Sequence, residues 1–191
     1  MTENELLLLD RIQVIQSAYK KYDLENKAYL SFSGGKDSTI LHHLLDEALP
    51  NNKIPRVYID TGIEYFDIKK FVLELQKNDK RIEIVKPTKN IKEVLEKFGY
   101  PFKSKEHSMR VEQFNKGTNA NYIKKYISGY DHNGKKSTFV CPNVLKYQFE
   151  EKGKYNYSNL CCYKLKKEPS HKWQRERERN LDYRNEKRRG W

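Results

Sequence analysis

The sequence predicts an α/β protein: an open, mainly parallel twisted sheet with helices on both faces, extended by a helical insert and a basic C-terminal tail. Three observations predict it. Strand-like and helix-like runs alternate between residues 28 and 98, the pattern of βαβ units. A double glycine, Ser33-Gly-Gly-Lys-Asp-Ser38, joins the first strand-like run to the helix after it. The 191 residues suffice for one domain with a proper core and fall short of two ordinary enzyme domains.

Taken in order, residues 4–22 place Leu6, Leu9, Ile12, Ile15, Ala18, Tyr19 and Tyr22 near helical spacing, which reads as an amphipathic packing helix. Ala28-Tyr-Leu-Ser-Phe32 reads as a strand, and residues 38–47 as a helix with Pro50 beyond its end. The alternation repeats with strands at 54–59 and 81–85 and helices at 65–76 and 91–98, so right-handed crossovers follow. After Gly99 the rhythm is lost. A loop leads into a helix around 108–114, residues 120–127 read as another, and Gly129 to Lys136 is a polar turn. From Tyr163 onward eleven Lys/Arg face five Asp/Glu, and the stretch from Trp173 has little apolar face. It reads as a solvated or partner-bound arm, or as a segment folded back against a ligand site.

With 34% charged residues and a net charge of +12, the composition suits a protein that attracts polyanions: nucleotide, nucleic acid or acidic partner. The longest apolar run, Leu6–Leu9, is bounded by Glu5 and Asp10, so neither signal peptide nor membrane span is expected and a cytoplasmic location is. Three cysteines with one adjacent pair fit a reducing compartment.

The glycine turn carries the chemistry. A turn between a buried strand and a helix presents backbone N–H groups at the positive end of the aligned peptide dipoles, which makes an anion site. Gly34 and Gly35 let backbone and ligand approach closely and permit positive φ. Lys36 supplies a mobile charge, and Ser33 and Ser38 supply hydroxyl donors. A tight turn with no ligand is the plainer alternative, against which strand, hydroxyls, lysine and helix together favour phosphate. The spacing is not the GxxxxGK[ST] of kinases and motor ATPases, because the glycines are adjacent and Asp37 follows Lys36.

Ser33-Gly-Gly-Lys-Asp-Ser38 matches the SGGxDS signature of the pyrophosphate-loop superfamily. Val57-Tyr-Ile-Asp-Thr-Gly-Ile-Glu-Tyr65, Gly99 to His107 and Cys161-Cys-Tyr-Lys-Leu-Lys-Lys-Glu-Pro169 resemble blocks of the phosphoadenosine phosphosulfate reductase family. The resemblance implies an adenine nucleotide alpha-hydrolase-like fold over residues 1–169 with residues 170–191 as tail. It also implies an adenine nucleotide ligand, ATP or phosphoadenosine phosphosulfate, with Mg²⁺ accompanying a triphosphate. Ser31, Ser33, Gly34, Gly35, Lys36, Asp37, Ser38, Asp60, Thr61, Gly62, Lys103 and Lys105 become the candidate nucleotide-binding residues, and Lys36, Asp37 and Cys162 the catalytic candidates. For Asp60-Thr61-Gly62 the local alternative is a cap on the next helix. For Lys103, Lys105, His107 and Arg110 it is exposed charge.

The chain departs from that family in having no cysteine after Cys162 and no Cys-x-x-Cys partner for Cys161-Cys162. A complete thioredoxin-dependent reductase is therefore not expected, nor an iron–sulfur cluster or other metal site. Cys141, Cys161 and Cys162, with His132 or His171, lack structural zinc spacing and read as free, partly buried thiols. Lys164, Lys166 and Lys167 would lower a nearby thiol pKa, which keeps Cys162, ahead of Cys161, as a candidate nucleophile. The leading expectation is an adenylating or sulfonucleotide-handling enzyme. The alternatives are a tRNA or DNA sulfur-modification factor, with Trp173, Tyr183 and Trp191 of the tail stacking on bases, and a nucleotide-binding protein without chemistry.

Overall fold

The computed structural model describes residues 1–117 and 121–188, with side chains described through Glu178. The chain divides into two units, residues 1–88 with 166–191, and residues 89–165.

In the first unit, three parallel strands, β1 (Leu30–Ser31), β2 (Arg56–Ile59) and β3 (Ile82–Val85), lie in the order β1-β2-β3. Leu30 pairs with Arg56, and Arg56 with Ile82, so the strands enter in register. The ladder runs one residue past two of them, with Phe32 N–H donating to the Val57 carbonyl and Asp60 N–H to that of Val85. Ser33 and Asp60 are thereby delivered to the same carboxyl edge of the sheet, where ligands of open parallel sheets bind.

Helices flank this sheet. α1 (Glu3–Tyr22) starts with a capping box in which Thr2 accepts from Glu5 N–H while the Glu5 carboxylate accepts from Thr2 N–H. A short helix α2 (Leu24–Lys27), then α3 (Lys36–Ala48) and α4 (Phe66–Asn78), complete the βαβ units. The core is Leu30, Phe32, Leu45, Ile54, Tyr58, Val72 and Ile82, with Ile15 and Tyr19 of α1 packed against it. Of the seven positions that the helical spacing aimed inward these two pack on the core, while Leu6, Leu9 and Tyr22 are exposed.

The basic segment is helical rather than irregular. A π-helical turn over Tyr163–Lys167 leads into α9 (Glu168–Arg188), whose beginning packs on β2 and β3. Trp173 donates from Nε1 to the Glu83 carboxylate at 2.6 Å and meets Tyr29 edge-on at 5.0 Å, while the Tyr29 and Ser170 hydroxyls share a hydrogen bond at 2.6 Å. One aromatic contact and two hydrogen bonds outweigh the poor apolar periodicity. Trp173→Ala is expected to cost about 2 kcal/mol, below the range for a fully buried tryptophan because the ring is half-exposed. Urea unfolding followed by circular dichroism checks it, and an unchanged midpoint would show that α9 contributes nothing to this unit.

The second unit holds α5 (Ile91–Phe98), α6 (Lys105–Asn115), α7 (Asn121–Ser128), a 3₁₀ segment (Asn143–Phe149) and a three-residue helix, α8 (Leu160–Cys162). α5 and α6 are capped by Asn90 and Ser104, whose side chains accept from the N–H groups of Glu93 and His107. Ala120, where a helix start was expected, lies outside the described residues, as does Trp191. The core is Val111, Tyr126, Cys141 and Phe149. Among the described residues no helix is long and apolar enough to cross a membrane.

Candidate functional site

The site is built on the turn from β1 to α3. Gly35 is the N-cap of α3 in extended conformation (φ −82°) and offers no side chain to the first turn, so the helix N–H groups have no side-chain partner. α4 likewise starts after Tyr65 without a side-chain cap. α1, α5 and α6 all carry one. Gly35, Tyr65 and Ile68 line the same cleft of about 650 Å³, which therefore receives the open ends of two helices.

The two glycines do different work. Gly34 has φ +70°, and a Cβ there would lie 2.7 Å from Val72 Cγ2 and 2.9 Å from Ile68 Cγ2 of α4. It is required by backbone conformation and by the close approach of α4. Gly35 has an ordinary φ, and its Cβ would meet only Ser33 Oγ at 3.3 Å. Of the pair, Gly35 is the one whose missing side chain leaves room for a ligand.

The hydroxyls first shape the turn. Ser38 Oγ donates to the Gly35 carbonyl at 3.0 Å and accepts from Ser33 N–H at 3.2 Å. With that proton directed at Gly35, the 3.0 Å contact between the two hydroxyls runs from Ser33 to Ser38. Both hydroxyl protons are committed to the turn. Lys36 and Asp37 are exposed in the first turn of α3, while Ser31 is exposed and lines the cleft.

Asp60-Thr61-Gly62 closes on itself and on α4. Asp60 is buried, accepts from Gly62 N–H at 3.2 Å and pairs with Lys69 Nζ at 2.9 Å. Thr61 donates to Glu64 at 2.5 Å, and Glu64 also accepts from Gly62 N–H at 3.0 Å. These residues do not cap α4, which begins beyond them, so the capping alternative fails. They brace the turn that carries Ile63, Glu64 and Tyr65 into the cleft. Behind it the Tyr58 hydroxyl is buried with no hydrogen-bond partner. Burial first, then the charges of Glu64 and Asp60, push its pKa up to about 12, so it stands at the cleft as a neutral donor.

Phe32, Val57 and Ile59 of the sheet also line the cleft, and Tyr29, Lys166, Lys167, Ser170 and His171 complete its wall. The start of the basic segment thus folds back to wall the cleft, one of the readings its sequence allowed, although no individual residue of it was named as a site residue. Lys103, Lys105 and Cys162 belong to the second unit, while the loop belongs to the first. Lys103 and Lys105 are exposed and Cys161 and Cys162 half-buried and free.

His107 and Arg110 are neither exposed charges nor free to grip an anion. His107 is fully buried, with Nε2 2.8 Å from Gln148 Oε1 and Nδ1 2.9 Å from the Tyr126 hydroxyl. Gln148 Oε1 can only accept, so Nε2 carries the proton and Tyr126 donates to Nδ1. The Arg110 guanidinium sits against the rings of Tyr126, Phe139 and Tyr122, at 4.6, 5.1 and 5.3 Å. Burial pushes the Cys141 thiol up, which keeps it protonated.

Among the described residues the one convergence of three metal-type ligands is His42, Asp46 and Asp79. Guanidinium groups already saturate its carboxylates. Asp46 accepts from Arg56 at 2.8 Å and from Arg81 at 2.7 and 2.8 Å, and Asp79 accepts from Arg81 at 2.8 Å. A cation would meet resident positive charge there, so the cluster is a clamp and not a metal centre.

A three-stranded parallel sheet flanked by helices, whose first strand feeds a glycine turn and an uncapped helix, defines an α/β protein. The chain belongs to the phosphoadenosine phosphosulfate reductase domain family, whose model matches residues 27–138. That span includes the glycine turn, Asp60-Thr61-Gly62, Lys103 and Lys105, and stops before the three cysteines. An uncharacterized protein of Methanocaldococcus jannaschii is 37% identical over 103 residues, covering 49% of this chain and 25% of that protein. The chain thus matches about a quarter of that relative's length. No solved structure matches the chain significantly.

Proposed function

We propose that the chain binds the phosphate-bearing end of an adenine nucleotide, ATP or phosphoadenosine phosphosulfate, at residues 33–38, as a phosphoadenosine phosphosulfate reductase-like enzyme. The observation that carries this reading is the pair of uncapped helix N-termini, α3 and α4, opening into one cleft beside a turn kept clear by Gly35. The N–H groups of the first α3 turn would take the phosphate oxygens, Lys36 would add a point charge, and Lys166 and Lys167 would neutralise the opposite side. The apolar wall of Ile63, Tyr65 and Ile68 suits a base or ribose face.

With ATP, an acceptor oxygen attacks the α-phosphorus, the bond to the bridging oxygen breaks, and pyrophosphate leaves into the loop amides and Lys36. Mg²⁺ beside a nucleotide uses one or two carboxylates plus phosphate oxygens, and Asp37 is the exposed carboxylate at the helix start. With a phosphosulfate, a thiolate attacks sulfur and the adenosine bisphosphate leaves by the same contacts. Cys162 is the candidate for that thiolate. The nucleic-acid reading loses one of its supports, because Trp173 is engaged with Tyr29 and Glu83. The side chain of Tyr183 lies outside the described residues.

Titration calorimetry with ATP and with phosphoadenosine phosphosulfate tests the proposal. The wild type is expected to bind at least one of them, and Lys36→Ala to weaken it about tenfold, the loss of one charge-assisted phosphate contact. No heat with either nucleotide would remove the reading. Pyrophosphate release in the presence of acceptor separates an adenylating enzyme from a protein that only holds the nucleotide.

A further inference from the structure

We infer that the second unit carries a surface for single-stranded nucleic acid, on which Tyr122, Tyr130 and Phe139 stack bases and the surrounding lysines hold phosphates. The nucleotide cleft is a separate site, since the loop that builds it belongs to the first unit. The three rings are 40, 55 and 46% exposed. Two of them are held from beneath. The buried Arg110 guanidinium lies 5.3 Å from the Tyr122 ring and 5.1 Å from that of Phe139, and it donates to the Tyr122 carbonyl at 2.7 Å. Phe139 also stacks on the buried ring of Tyr126 at 5.2 Å. An exposed ring already fixed in orientation loses little conformational entropy when a base stacks on it.

The charges around the rings choose the occupant. Tyr130 stands at the base of a hairpin, bridged to Lys136, in which the Asp131 carboxylate accepts from the N–H groups of Lys135 at 2.8 Å and Asn133 at 3.0 Å. Asp131 is the one acidic residue between 121 and 147, and its charge is used inside that turn. Those N–H groups, with the charge of Lys125, hold its carboxyl below the usual carboxylate range, which puts Lys125 of α7 beside the hairpin. Cys141, whose N–H donates to the Tyr126 carbonyl at 2.7 Å, feels the charges of Lys146 and Lys103 in the same way. Lys124, Lys125, Lys135, Lys136 and Lys146 form no ion pair among the described residues. Elsewhere in this unit Lys89, Lys92, Lys116 and Lys154 each pair with a glutamate three or four residues away. Unneutralised lysines beside open rings suit a polyanion whose bases are accessible, and a duplex hides its base faces.

Fluorescence anisotropy with labelled twenty-nucleotide oligo-dT and oligo-U, and with a duplex of the same length, tests the inference on the full chain. A dissociation constant on the order of 10 µM at about 100 mM salt is expected for at least one single strand, and the tighter of the two names the natural strand. The duplex is expected to bind at least several-fold more weakly. Tyr130→Ala and Phe139→Leu are each expected to weaken binding about tenfold, the loss of one stacked base, with the salt dependence and the circular dichroism spectrum unchanged. Lys135→Ala with Lys136→Ala is expected instead to flatten the slope of log affinity against log salt by about 1.4. Lys89→Ala with Lys92→Ala removes the same charge from α5 and its approach and is expected to change affinity less than twofold. Wild-type affinity in both ring variants, a duplex that binds as tightly as the single strand, or equal losses in the two lysine pairs would each overturn the inference. So would a wild type that binds neither strand at about 100 µM, including one that sediments with phosphatidylglycerol vesicles instead.

Discussion

Gly34→Ala is expected to destabilise the first unit by about 3 kcal/mol in the absence of any ligand. A left-handed conformation costs an alanine about 1 kcal/mol or more, and forcing a methyl into packed side chains adds about 1–3. The carbon would arrive 2.7 Å from Val72, a residue with no exposed surface in the middle of the core, so the neighbour has no solvent side into which to retreat. Gly35→Val is expected to do the reverse. The Cβ it adds meets only the Ser33 hydroxyl, at 3.3 Å, so urea unfolding should change by less than about 1 kcal/mol, while affinity for ATP and phosphoadenosine phosphosulfate falls at least tenfold. Equal stability of Gly34→Ala and wild type would refute the packing account. Unchanged nucleotide affinity in Gly35→Val would refute the ligand account while leaving the packing account in place.

Much of the scaffold was legible because local chemistry and tertiary structure agree. Residues 91–98 read as a helix and are one, since Asn90 caps it and Gly99 ends it. The three strands of the sheet sit inside the three runs that alternation picked out. The glycine turn was legible as an anion site in outline, although which glycine serves packing and which serves access depends on α4, more than thirty residues away in sequence. What stayed hidden has a common cause: polar residues whose partners are distant. His107 and Arg110 look like ordinary surface charges on a helix until residues 122–148 fold around them. Arg56 stands in an apolar strand, Ile54 to Ile59, and a guanidinium there has to be paired. That signal was present in the sequence, but it does not name the partners. The far wall of the cleft, from Lys166 to His171, was legible only as one of the readings open to the basic tail, because charge density also suits a solvated arm until an aromatic anchor such as Trp173 is seen to hold the segment down.

The Arg56 pairing leads to the other large effect. Arg56 has no exposed surface, and its guanidinium donates to Asp46, Asn52 and the Ile54 carbonyl while its Nε meets His42 Nδ1 at 3.3 Å. Asp46 joins Arg56 to Arg81, which is also held by Asp79. Asp46→Ala leaves the Arg56 charge buried without its carboxylate and is expected to cost about 3 kcal/mol, the lower end for breaking a buried pair because Asp46 itself is partly open to solvent. Acid should undo the same clamp in two stages. Burial lowers the pKa of His42 by more than the Asp46 charge raises it, and the Arg56 charge adds to the lowering. Burial would raise Asp46, but hydrogen bonds from Arg81 and Asn52 and the Arg56 charge bring it down to about 2, and Arg81 lowers Asp79. All three groups bind protons more readily unfolded than folded, so stability is full above the unfolded pKa and falls with pH. The loss should begin below the ordinary histidine pKa of about 6.5 and steepen from about 4 toward 2 as the carboxylates protonate. In Asp46→Ala the steep part should shrink while the shallow histidine part remains. Urea unfolding at pH 7.5, 5 and 3.5 measures both, and a variant with the same acid profile as the wild type would show that Asp46 does not hold the clamp.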